Sequence, residues 1–185
     1  GRGECTPYAR YGESLESVTA QIESVAQAIA DGADRPGLEV LLPPGAARNA
    51  VDCALWDLEA KLAGVPAWAI AGIPEPGPVT TVYTLSLDTV ERMGEAARQS
   101  AHRPLLKVKL GGDGDDARIA AVRKAAPESE LIVDANEAWT PDDLEYNLAA
   151  CANAGVTLVE QPLPAGRDAA LAHIKRPIAV CADES

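Results

Sequence analysis

Positive charge is scarce in this chain. Its 185 residues hold 16 Lys and Arg against 28 Asp and Glu, a formal net charge of −12. Binding to nucleic acid or to an anionic membrane surface needs a basic face, so the balance argues against both partners. No apolar run approaches the ~20 residues of a membrane span, and the opening Gly1-Arg2-Gly3-Glu4 is polar, unlike a secretory signal. The four cysteines, Cys5, Cys53, Cys151 and Cys181, show no Cys-x-x-Cys spacing, which argues against a zinc site. Three lie in apolar surroundings, where reduced core thiols are expected. The expectation is a cytoplasmic protein with no nucleic-acid and no membrane partner.

Nearly half the residues are apolar, so the chain should fold, and its length suits one domain or parts of two. Apolar residues recur at helical spacing over Leu15–Ala30, up to Gly32, and over Ala46–Ala63, up to Gly64 with Pro66 just beyond. After Pro78 the pattern alternates. Strands are expected at Val79–Leu87, Leu105–Leu110, Leu131–Asn136, Val156–Gln161 and Ile178–Asp183. Helices are expected at Val90–Gln99, Asp115–Ala126, Pro141–Ala154 (with proline in the first turn) and Arg167–Ile174. Strands separated by helices imply right-handed βαβ units and a parallel sheet, either doubly wound or part of a β/α barrel. The first strand–helix turn lacks Gly-x-Gly-x-x-Gly and no Gly-x-x-x-x-Gly-Lys occurs, which disfavours the nucleotide-binding versions.

The barrel gains from what stands at the strand ends. Four successive apolar strands finish in ionisable groups: Lys107-Val108-Lys109, Asp134-Ala135-Asn136, Glu160-Gln161-Pro162 and Asp183-Glu184. In α/β barrels the C-terminal strand ends form the active site. Taken singly each has a plainer explanation, a solvated edge for Lys-x-Lys and a helix cap for Asp; their succession sets them apart. Alternation puts Lys107 and Lys109 on one face, and likewise Asp134 and Asn136. Inward-pointing Asp134, Glu160 and Asp183 would lie roughly 5 Å apart on neighbouring strands. Such like charges repel, and some would be driven neutral. A hard divalent cation, Mg2+, relieves the conflict with oxygen ligands. The lysines suit proton transfer, since burial and nearby charge can lower a lysine pKa.

This arrangement resembles the enolase superfamily, in its muconate-lactonizing branch, which bears Lys-x-Lys on the second barrel strand and metal-binding Asp, Glu and Asp on the next three. The resemblance covers essentially the whole chain. The segments Gly3-Glu4-Cys5-Thr6-Pro7-Tyr8-Ala9-Arg10-Tyr11-Gly12-Glu13-Ser14 and Gly45-Ala46-Ala47-Arg48-Asn49-Ala50-Val51-Asp52-Cys53-Ala54-Leu55-Trp56-Asp57 look like those of L-Ala-D/L-Glu-type dipeptide epimerases. The resemblance implies an isomerase acting by 1,1-proton transfer on a small dipeptide. Asp134, Glu160 and Asp183 would hold Mg2+, Lys109 would move the α-proton, and Lys107 would bind substrate and stabilise the developing enolate oxygen. Thr84 matches a substrate-contacting threonine.

The fold implied is a partial (β/α) barrel with five parallel strands, residues 72–185, preceded by the tail of an α+β capping domain, residues 1–71. Family members carry more chain at both ends, including an opposing catalytic lysine on the sixth strand, so this chain reads as a fragment with one of two bases. An open five-stranded arc exposes two edges, a pairing liability, and implies self-association or pairing with the missing part of the barrel. Within the branch the alternatives are an N-acylamino-acid racemase, an o-succinylbenzoate synthase and a muconate cycloisomerase. From another class comes a non-catalytic, metal-binding half-barrel.

Overall fold

A computed structural model describes residues 1–185 as two units, Gly1–Pro78 and Val79–Ser185. The first is helical. Helix α1 (Leu15–Ser24) starts at Ser14, whose hydroxyl accepts from the Ser17 N–H while the Ser17 hydroxyl accepts from the Ser14 N–H, a reciprocal cap. The single helix expected over Leu15–Ala30 is two. At Val25 the ladder tightens to a three-residue spacing, Val25 N–H to Ile22 O, and α2 (Ala26–Ala30) follows.

Helix α3 (Arg35–Leu41) was hidden in the sequence by Pro36-Gly37. Asp34 caps it by accepting from the Gly37 N–H, and proline is tolerated in the first turn, where N–H groups lack helical partners. Helix α4 (Ala46–Ala63) spans the residues expected. The Glu13 carboxylate accepts from the Ala46 N–H at its start, and Gly64, at φ +66, ends it in the left-handed conformation that glycine adopts without strain. A short α5 (Ala67–Ile70) closes the series. Val18, Val25, Leu38, Leu42, Ala47 and Leu55 form this unit's core.

The second unit is a parallel sheet in the order β1 (Tyr83–Leu85), β2 (Leu105–Lys109), β3 (Glu130–Asp134), β4 (Val156–Glu160) and β5 (Ala179–Cys181). Its connections contain α6 (Val90–Ser100), α7 (Asp115–Ala125), α8 (Leu144–Asn153) and a 3-10 helix at Asp168–His173. The elements fall where hydrophobic alternation placed them, most with shorter ends, while β3 starts one residue earlier and α6 ends one residue later than expected. β1 and β5 keep three residues each, and α8 begins three residues after Pro141 rather than around it.

Register decides the two faces. Thr84 pairs with Lys107, Lys109 with Asp134, Asp134 with Glu160, and Glu160 with Cys181. Paired residues share a face, so these groups lie together. The opposite face, with Leu106, Val108, Leu131, Val133 and Val159, is wholly buried in a core that includes Met93, Ile119, Val122, Leu144 and Leu148 from the helices. One sheet face is thus spent on packing and the other is left for polar chemistry.

Of the cysteines, only Cys151 is a buried core thiol, its pKa raised by burial to about 12. Cys5 is half-buried, while Cys53 and Cys181 are exposed. The expectation of three core thiols therefore fails. Cys53 lies on the solvent side of α4, and Cys181 lies on the polar sheet face. All four are free. No helix is long and apolar enough to cross a membrane.

Leu131→Ala, in the middle of the sheet, should lower the unfolding free energy by ~2–5 kcal/mol, measured as a shift of the urea midpoint. Leu62→Ala, on the exposed side of α4, should change it by no more than ~0.5 kcal/mol.

Candidate active site

Two lysines and two carboxylates meet at the C-terminal ends of β2, β3 and β4. Lys107 Nζ lies 2.9 Å from Asp134 Oδ2 and 2.6 Å from Glu160 Oε2, and Lys109 Nζ lies 2.6 Å from Asp134 Oδ2. The Asp134 side chain is 0% exposed, those of Lys107 and Glu160 17%, and that of Lys109 33%. Strand geometry explains the convergence. The residue between the lysines, Val108, points to the helix side, so both ammonium groups reach the same face as Asp134, which is one strand away in register.

Asp134 Oδ1 accepts from the Asn136 N–H at 3.0 Å. Burial alone would raise the Asp134 pKa, but the hydrogen bonds from Lys109, Lys107 and the Asn136 N–H hold it below the usual carboxylate value. Burial would lower the Lys107 pKa, yet the hydrogen bonds to Glu160 and Asp134 outweigh it and hold the ammonium above its usual value. The charge conflict expected of the strand-end carboxylates is relieved at Asp134 by the lysines, and Lys107 is shifted up rather than down, because each has opposite charge at contact distance.

Asp183 does not join them. β5 ends at Cys181, the partner of Glu160, so Asp183 lies two residues beyond the last paired position, on the parity of the polar face but past the ladder. It is exposed, and no three acidic, histidine or cysteine groups converge as a metal cage. The donor chemistry fits Mg2+ at Asp134 and Glu160, which offer hard oxygens from adjacent strands around a point already occupied by positive charge from Lys107. Asp183 would have to turn inward to complete the set. Thr84 is exposed on β1, opposite Lys107 in register and on its face.

Sequence reasoning overlooked two buried polar groups behind the site. Asp115 accepts from the N–H groups of Gly111 and Gly112, from Trp139 Nε1 and from Arg118, which ties the loop after β2 to the loop after β3. Its position at the start of α7 reads in sequence as an ordinary acidic first turn. Gln161 links the ends of β4 and β5. Backbone strain gathers in the same region, since Asn136, Glu137 and Gln161 all have positive φ, a conformation non-glycine residues keep only under constraint and often near functional sites. Glu184 buries one carboxylate oxygen, Oε2, with no hydrogen-bond partner. A groove of about 520 Å³ between α7 and α8, lined by Asp116, Arg123, Lys124 and Tyr146 among others, contains none of these strand-end groups.

Comparison with known proteins agrees with this geometry. Residues 88–185 match the enolase C-terminal domain-like family, and residues 1–72 match the mandelate racemase / muconate lactonizing enzyme N-terminal domain. The L-Ala-D/L-Glu epimerase of Escherichia coli is 46% identical across all of this chain, which spans 58% of that protein. The N-acetyl-D-glutamate racemase of a Pseudoalteromonas species is 44% identical, again across the whole chain and 59% of the relative. An enolase family member from Agrobacterium tumefaciens with homology to dipeptide epimerases, solved with sodium and L-Ala-L-Glu, superposes with a TM-score of 0.94 at 53% identity, over 99% of this chain and 56% of that one. Dipeptide epimerases from Cytophaga hutchinsonii, Enterococcus faecalis and Methylococcus capsulatus, also similar in structure, are complexed with Mg and a dipeptide. The chain thus spans under three fifths of the length of each of these relatives.

The shifted pKa values set the pH response. A carboxylate with a depressed value contributes stability that is full above its ordinary pKa and lost as pH falls through the depressed one, so the contribution of Asp134 fades below about pH 4. Replacing both lysines by methionine leaves burial as the dominant influence and reverses the sign. The Asp134 carboxyl then titrates above its ordinary value, and the variant gains stability as it is acidified through that point. Urea unfolding between pH 3 and 8, with a 13C titration of the Asp134 carboxyl, measures both; an unshifted Asp134 in the double variant contradicts the assignment.

Proposed function

This chain belongs to the enolase superfamily, in the mandelate racemase and muconate lactonizing group, and from that premise we propose that it forms the Lys-x-Lys half of an epimerase site for dipeptides of the L-Ala-D/L-Glu type. The observation that carries the reading is the contact of Lys107 and Lys109 with Asp134 and Glu160 on one sheet face. A proton-transfer site on carbon needs a base beside the C–H bond and positive charge beside the oxygen that becomes negative. Here both come from one Lys-x-Lys strand.

Asp134 and Glu160, with Asp183 turned inward, would hold Mg2+, which when bound acts as a Lewis acid toward the substrate carboxylate. Lys109, the more exposed of the two lysines, acts as the neutral amine: its ammonium proton passes to solvent as its hydrogen bond to Asp134 is given up, and the freed Nζ lone pair then takes up the α-proton. Lys107, protonated and fixed between two carboxylates, faces the carboxylate oxygen on which charge builds as the C–H bond breaks. Thr84, on the same face, is placed to contact substrate. These 185 residues supply a base for one face of the α-carbon.

The two similar sequences suggest the substrate class. L-Ala-Glu and N-acetylglutamate are both N-acylated glutamates with the reacting hydrogen on the glutamate α-carbon, so racemisation of an N-acyl glutamate is the second reading. Both readings use the same residues and differ only in what binds the acyl group.

Incubation of the 185-residue chain with Mg2+ and L-Ala-L-Glu in D2O should remove the glutamate α-proton signal from the 1H NMR spectrum. EDTA should stop the exchange, and Lys109→Ala should slow it by ~10²–10⁴-fold. Equal exchange in that variant refutes Lys109 as the base, and no exchange by the parent chain refutes the reading for these residues. Faster exchange of N-acetyl-L-glutamate than of the dipeptide would favour the second reading.

A further inference from the structure

Resting on the reading that Asp134, Glu160 and Asp183 share a divalent cation, we propose that Gln161 is the positioning residue that sets the third of these carboxylates. Gln161 follows Glu160 directly and is 1% exposed. Its side-chain amide is satisfied on both sides. Oε1 accepts from the Asp183 N–H at 2.9 Å and the Glu184 N–H at 3.1 Å. Nε2 donates to the Leu163 carbonyl at 2.7 Å and to Ser185 Oγ at 2.9 Å, with Asp168 Oδ1 at 3.5 Å. These partners fix the amide's orientation, because the flipped form would set its NH2 against two N–H donors and its oxygen against a carbonyl.

The main chain of Gln161 adds two ties. Its N–H donates to Cys181 O, and its carbonyl accepts from the Glu137 N–H, both at 2.9 Å. One residue therefore fastens the end of β4 to the stretch that follows Asp134 and to the stretch that contains Asp183. It does so at φ +35 immediately before Pro162, where proline already restricts the backbone, and such strain persists only when the surroundings over-determine it. Asp183 lies past the last ladder pair, so strand pairing does not hold it. Its hydrogen bond to Gln161 does, and this anchors the Asp183 backbone while the exposed carboxylate can swing toward Asp134 and Glu160.

The test pairs amide hydrogen exchange in the metal-free chain with Mn2+ titration followed by electron paramagnetic resonance, Mn2+ serving as an oxygen-preferring probe. In Gln161→Leu the Asp183 and Glu184 amides should exchange at least ~10-fold faster while Leu131 and Val133 stay protected, and Mn2+ affinity should fall ~10–100-fold. Adding Gln161→Leu to Asp183→Ala should bring no further loss, as expected for two residues acting through one group. Gln161→Asn, which draws the oxygen back by one methylene, ~1.5 Å, should show the same pattern at smaller amplitude, and it decides the matter if the leucine variant does not fold. Unchanged exchange at Asp183 overturns the proposal. So does a loss that adds fully to that of Asp183→Ala, since that marks a general disturbance. If Asp134→Ala and Asp183→Ala bind Mn2+ as the parent does, the cation reading fails and the proposal falls with it. Faster exchange at the two amides would then show that Gln161 still holds Asp183, which separates the two failures.

Discussion

A carboxylate with no exposed surface, Asp134, governs the second unit. Burying such a charge costs several kcal/mol unless it is paired and hydrogen-bonded, and here two ammonium groups and a backbone N–H meet that demand. Much else follows. Both lysines must come from the same strand face, so Val108 between them must face the helices, and it is buried there. Lys107 must also be shared with Glu160, or the second carboxylate would sit uncompensated beside the first. The lysines thus hold the acidic groups close together, the arrangement in which oxygen ligands are useful.

The loops around this cluster are held by buried polar contacts as well as by apolar packing of Leu110, Ala135, Trp139 and Leu163. Asp115 binds the turn after β2 to Trp139 in the loop after β3, and Gln161 binds the end of β4 to the end of β5. Non-glycine residues at positive φ occur at the same strand ends. Strain and polar burial are expected where geometry must serve chemistry rather than stability. The strand residues of the apolar sheet face, remote from these demands, include none at positive φ.

The family relation suits this division of labour. The two similar proteins, one named for a dipeptide and one for an N-acetyl amino acid, are both named for a glutamate derivative. In the proposed reading, chemistry at the glutamate α-carbon calls on the strand-end lysines and carboxylates. Discrimination of the acyl group calls on residues that contact it, apart from these.

The sequence alone determined the alternation of strands and helices, the packing face of each strand and the parity of the charged residues, because these depend on periods of 2 and 3.6 that local hydrophobicity records. It therefore placed Lys107 with Lys109, and Asp134 with Asn136, on one face of their own strands, while the register between strands brought Lys107, Lys109, Asp134 and Glu160 together. It did not reveal α3, where Pro36 and Gly37 disguise a capped helix, nor the break at Val25. Tertiary structure decided the rest. Whether a carboxylate is neutral or ionised depends on which cation reaches it, so the states of Asp134 and Lys107 followed from contacts between strands 25 residues apart. Where β5 stops depends on the length of the ladder, which left Asp183 beyond pairing. The role of Gln161 depends on bonds to residues 22 to 24 positions away, and no local pattern encodes such bonds.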